Sequence, residues 1–247
     1  MLKSKPVNLV KQFVCYVFGL FLISIGINFS KMSNLGITPV SSIPRACEQI
    51  WGFTLGVTTM IIYILLVVLQ LIILRKRFKV TNALGIIVTF IFSWLVDFTG
   101  TDPNAFGHML LNFPRPQNYP MQLVYLLVSL VISALGVFIY LRPQWPPMPA
   151  EGFAGAIATV TGKPFGNCKS IADTSMVVIA LILQIAFLGG LNSFTGDGVV
   201  VREGTVIAAI AIGQLVKLLS KPFGKPLTDW LHKGDDKIEA RAVAAGK

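Results

Sequence analysis

Glu151, Lys169 and Asp173 are ionisable residues in or beside apolar stretches, where a charge needs a partner. Lys169 and Asp173 are four apart, so they share a helix face and can pair. Such a pair can hold a charged solute or act as a protonation switch in coupled transport. The alternative is an interfacial pair whose lysine reaches out to water. Glu151 stands two residues after Pro149. In the first turn of a helix its carboxylate caps free N–H groups at the positive end of the dipole, with or without a solute. Arg45 and Glu48, three apart, also share a face. They read either as a solvated surface pair or as an inward arginine that attracts an anion. In the second case the Ser41 and Ser42 hydroxyls at the same helix start assist. If Arg45 and Glu151 face one cavity, the solute carries both signs. Asn28 is a further candidate for contact with solute. Its plainer role, shared with Gln70 and Gln184, is hydrogen bonding between helices.

Other chemistry finds no residues. Cys15, Cys47 and Cys168 are far apart, and His108 and His232 stand alone. The glycine-rich stretch Thr195-Gly196-Asp197-Gly198 lacks the strand and helix of a phosphate loop. No catalytic residue, cofactor or metal is expected. The expected partners are a small-molecule solute and the lipid bilayer.

The elements that position these residues are hydrophobic helices. Of 247 residues, 54% are hydrophobic and 13% charged, where a soluble chain carries roughly a quarter charged. Apolar runs cover 13–29, 57–74, 83–98, 123–141, 174–191 (extending upstream to about Phe165) and 204–219. Lengths near 20 residues suit a bilayer, and only helices satisfy their backbone there without closing a barrel. Two mixed segments, 38–52 and 148–162, are too short and too polar for ordinary spans. Each begins near a proline, Pro39 or Pro149, and ends on a glycine, Gly52 or Gly162. They read as half-helices, either re-entrant or interfacial. Trp51, Trp94, Trp145 and Trp230 fall near expected interfaces. Asp97 ends the third run, where it is expected to face water.

Charge sets the orientation. The net charge is +10, but the basic residues lie between apolar runs, which points to membrane topology rather than nucleic acid. With six crossings and the N-terminus in the cytoplasm, seventeen Lys and Arg fall inside and four (Lys31, Arg45, Arg115 and Arg202) outside. Both termini are therefore expected in the cytoplasm, and the first run is expected to be retained rather than cleaved.

A repeat underlies the pattern. At an offset of 110 residues, Gly26 meets Gly136, Pro39 meets Pro149, Gly52 meets Gly162 and Gly56 meets Gly166. Three crossings per unit is odd, so the copies face opposite ways, a plan recurrent in secondary transporters. For the third span of each unit the offset grows by about ten, and Asp97 then falls against Lys217.

These residues resemble the repeat of the YitT/YczE-type bacterial membrane proteins. Its corner reads Leu35-Gly36-Ile37-Thr38-Pro39 here. Its glycine step reads Gly52-Phe53-Thr54-Leu55-Gly56, and in the second copy Thr161-Gly162-Lys163-Pro164-Phe165-Gly166. Gly204-Thr205 matches the pair before its last span, while the second corner, Trp145-Pro146-Pro147-Met148-Pro149, lacks the glycine. The resemblance implies a permease and no particular substrate. It also implies that a basic and an acidic residue at the Lys169–Asp173 spacing recur among relatives.

The expectation is an all-α integral membrane protein of the cytoplasmic membrane. Six transmembrane helices and two half-helices form two inverted-topology three-span repeats. Unit 1 covers 1–105, an outer loop 106–120, unit 2 121–222 and a cytoplasmic tail 223–247. The expected function is secondary transport of a small polar or charged solute. The alternatives are a non-transporting accessory subunit and a lipid-directed enzyme.

Overall fold

The computed structural model describes residues 6–78, 80–105, 107, 109–143, 145–189 and 198–233. Among these residues there are eight α-helices and no strand. They are α1 (Pro6–Ser33), α2 (Pro39–Trp51), α3 (Leu55–Leu74), α4 (Val80–Phe98), α5 (Tyr119–Tyr140), α6 (Pro149–Thr161), α7 (Phe165–Phe187) and α8 (Glu203–Leu231). Helices α1, α3, α5, α7 and α8 are each long and apolar enough to cross a membrane. This is a multi-pass membrane protein. Helix α4 has 19 residues, or about 28 Å at 1.5 Å per residue, close to the thickness of a hydrocarbon core.

The two short helices end as the sequence predicts. Both place proline in the first turn, where no N–H is needed. Both stop on a left-handed glycine, Gly52 (φ 72°) and Gly162 (φ 68°), whose N–H closes the last turn. The largest departure is α8. The hydropathy predicts a helix end near Leu219, yet the helix continues through Pro222 and Pro226 to Leu231. Its last turns have something to pack on. Leu231 is buried, and Lys11 Nζ lies 5.0 Å from the Trp230 ring centre. Asn8 donates to the Lys233 carbonyl at 3.3 Å. Residues 234–247 of the expected tail lie outside the described residues, as do His108 and Thr195 to Asp197.

Helix ends gather at two poles. At the basic pole, Arg142 donates to Ser220 Oγ at 2.7 Å and Trp145 to Gln12 Oε1 at 3.2 Å. At the other, Gly204 N bonds the Leu35 carbonyl at 2.8 Å, and Val201 N bonds Gln184 Oε1 at 2.7 Å.

Packing follows a pattern of matched pairs. Helix α2 packs on α3, and α6 on α7; α3 packs on α6, and α7 on α2; α1 packs on α4, and α5 on α8. Helices α1 and α5 form the closest interface. A Cβ on Gly136 would lie 2.8 Å from the Gly19 carbonyl oxygen, so side chains there would force the helices apart. Two pairings have no counterpart: the slight contact of α1 with α8, and a much larger one. Helix α3 packs closely on α4, whereas α7 and α8 barely touch among the described residues.

Candidate functional site

The starts of α2 and α6 border one buried cluster. Ile37, Met148 and Ala150 share one buried cluster with Tyr63, the ninth residue of 20 in α3, and Met176, the twelfth of 23 in α7. Helix α2 begins beside the middle of α7, where Ser42 Oγ lies 3.4 Å from the Met176 carbonyl, and α6 begins beside Gln70, the sixteenth residue of 20 in α3. Three side chains hold the second corner. Tyr16 donates to the Pro146 carbonyl at 2.6 Å, and Gln70 to the Pro149 carbonyl at 3.0 Å. Trp145 ties to Gln12, as above. Gly152 lies against the Gln70 amide, where a Cβ would sit 2.7 Å from Oε1. Gln70, Asn82, Gly85, Pro147, Pro149 and Gly152 line a small cavity beside the helix start.

Glu151 sits in the first turn of α6. Its Oε2 is shielded from solvent and faces the buried Tyr140 hydroxyl, and neither atom has a hydrogen bond to any other group. Lys169, Asp173 and Tyr140 are its electrostatic neighbours, and Glu151 in turn acts on Tyr16 and Tyr63. Lys169 Nζ and Asp173 Oδ1 are 2.6 Å apart, with side chains 22% and 23% exposed. The structure thus brings Glu151, Lys169 and Asp173 into one neighbourhood.

Arg45 and Glu48 belong to a separate cluster. Glu48 bridges two cations, with Lys31 Nζ at 2.5 Å and Arg45 NH1 at 2.6 Å, and all three side chains are largely buried. Lys31 comes from the end of α1, so no helical spacing could reveal it. Arg45 lies with this cluster and near Gly198, rather than beside Glu151. Gln49 hydrogen-bonds the Gly198 carbonyl, and Asn34 Oδ1 accepts from Gly198 N at 3.0 Å. Together these contacts close the pole opposite the basic one.

The remaining candidates join helices. Asn28 donates to the Ser24 carbonyl (3.1 Å), the Val96 carbonyl (3.0 Å) and Thr99 Oγ1 (3.0 Å), which couples α1 to α4. Ser42 donates to the Pro39 carbonyl at 2.6 Å and lies 3.4 Å from the Met176 carbonyl. Ser41 is buried in the same turn.

The seam between α3 and α4 is latched by a residue expected to face water. Asp97 accepts from Thr54 Oγ1 and from Gly56 N, both at 2.7 Å. Asp97 is half-buried, and the two donors at the N-terminus of α3 offset the loss of water around its carboxylate. Tyr63 stacks on Phe92 in the same seam, with ring centres 5.9 Å apart. A Cβ on Gly56 would lie 2.4 Å from both Asp97 Cγ and the Ser93 carbonyl oxygen. At Gly166, its match at the 110-residue offset, nothing lies within 4 Å.

Residues 10–221 match the model of a family of unknown function (DUF6198). The chain belongs to that family. The match spans Asn28 through Asp173, so every candidate above lies within what defines it. The uncharacterized protein YyaS of Bacillus subtilis (strain 168) is 22% identical over 173 residues, covering 70% of this chain and 81% of the relative. No solved structure matches.

Tyr140, Tyr16 and Tyr63 are site neighbours that sequence reasoning passed over. The signal was a phenol within an apolar run, whose hydroxyl needs a partner when buried.

Proposed function

We propose that this protein is a secondary transporter of a small polar or charged solute, working by exchange between two inverted three-span units in the cytoplasmic membrane. The observation that carries the reading is the largest break in a mostly matched packing pattern. Most equivalent helices make equivalent contacts, and the largest exception is that the α3–α4 seam is shut and the α7–α8 seam is not, among the described residues. An inverted duplication has two related states available, since each unit can adopt the arrangement of the other. This structure then corresponds to one state, with the first unit closed and the second open. The charge distribution puts the basic pole in the cytoplasm, so the state faces inward. Both half-helix starts border one buried cluster, and a solute would be held beside them, between the two gates.

A second reading has its own support. Ile179, Ile182, Ile207 and Ile210 are exposed on α7 and α8, an apolar flank that another membrane protein could cover. That favours an accessory subunit.

Solute uptake separates the two. Purified protein in sealed proteoliposomes is offered amines, amino acids, organic acids and nucleobases. Transport predicts saturable uptake of one class, absent from protein-free vesicles. Indifference to every class, with a membrane protein co-purifying stoichiometrically, would favour the accessory reading.

A further inference from the structure

We propose that the neighbourhood of Glu151 is a site for an ammonium group, carried by a small amine or by an amino-acid-like solute. The proposal rests on the transporter reading only for the solute's route in. The first argument is charge. The positive group of this neighbourhood is already engaged, Lys169 being bound to Asp173 at 2.6 Å, while Arg45 is held by Glu48 in the separate cluster. Lys169 and Asp173 cancel, which leaves Glu151 as the uncompensated charge of its group. An ionised carboxylate at low dielectric calls for a cation beside it.

The second argument is hydrogen bonding. Glu151 Oε2 and the Tyr140 hydroxyl are both shielded and face each other, and neither has another partner. The phenol has one proton to give, so lone pairs on both oxygens remain open to a further donor. An ammonium donor satisfies both oxygens.

The third argument is the donor set. Hard metal cations take about six or more oxygen ligands. Among the described residues no group of three His, Cys, Asp or Glu is placed to hold a metal. The site has one carboxylate, a phenol and nearby aromatic rings. Tyr16 and Tyr140 pack edge to face at 5.8 Å, and Tyr16 lies 5.7 Å from Trp145. Alkylammonium groups favour such surroundings. The open α7–α8 seam leaves the Lys169–Asp173 side of the group about a fifth exposed, and this is the side from which a solute can enter.

The test titrates the full-length protein in lipid nanodiscs with methylammonium, choline, glycine and acetate, and reads binding by calorimetry and thermal shift. At least one ammonium-bearing solute is expected to bind, and acetate is not. Glycine against methylammonium separates zwitterions from simple amines. Glu151→Gln removes the charge at constant shape and is expected to weaken binding about tenfold or more, the worth of a charge-assisted hydrogen bond. Tyr140→Phe is expected to weaken it less, and carries the test if Glu151→Gln does not fold. No binding by any ammonium compound, a preference for acetate, or binding unchanged by both substitutions would overturn the proposal. The last result would mean that Glu151 holds a proton only. Ammonium binding without uptake in proteoliposomes would remove the transporter reading and keep this site. Uptake of an anion would do the reverse.

Discussion

At the scale of single residues, the strongest constraint is the bridge at Glu48. One carboxylate faces Lys31 and Arg45, all three largely buried. Removing its charge leaves two cations with no counter-ion in a poorly hydrated place. Glu48→Gln is expected to cost about 3–5 kcal/mol of stability, as for other broken buried pairs. Thermal unfolding in detergent measures it, and a melting temperature within a degree of wild type would sink this account of the cluster. Asn28 is a milder case. Its bonds join α1 to α4, and polar contacts between membrane helices contribute about 0.6 kcal/mol on average and up to about 1.7. Asn28→Ala is expected to lower the melting temperature slightly and leave solute binding intact. A loss of binding with unchanged stability would instead make Asn28 a contact residue. Only part of this was legible in the sequence. Lys169–Asp173 and Arg45–Glu48 follow from helical spacing. Lys31–Glu48 and Gly56–Asp97 join residues 17 and 41 apart on different helices, and no local rule reaches that far.

At the scale of elements, the two glycine steps differ in what surrounds them. Gly56 is pressed against Asp97 and the Ser93 carbonyl, while Gly166 meets nothing. Gly56→Ala is expected to open the α3–α4 seam and cost about 1–3 kcal/mol, as overpacking does. Gly166→Ala is expected to keep or slightly raise stability, since alanine favours a helix by up to about 1 kcal/mol over glycine. If transport requires the second seam to close as the first does, Gly166→Ala also slows uptake. Equal stability loss in both variants would contradict the claimed difference between seams. Helix ends were legible where chemistry marked them, as with the proline starts and glycine stops of α2 and α6. The end of α8 was not. Its polar last turns read as a tail, and the contacts that keep them helical come from α1, at the far end of the chain.

At the scale of the whole molecule, the proposed duplication accounts for most of the helix pairings. Glycine and proline positions at one offset were enough to suggest it, because turns and close approaches tolerate few other residues. The asymmetry could not be read in advance. It depends on Asp97 latching one seam where Lys217 stands in the other copy, and that matters only once the helices are packed. Spin labels measure the consequence directly. One pair is placed across α7–α8 by Ile179→Cys and Ile210→Cys, and another across α3–α4 by Ile61→Cys and Phe90→Cys, with the native cysteines replaced. Distances are recorded in lipid nanodiscs with and without a bound solute. The account predicts two populations at each seam, the short α7–α8 distance rising as the long α3–α4 distance rises. A single unchanging distance at both seams in every condition would contradict it.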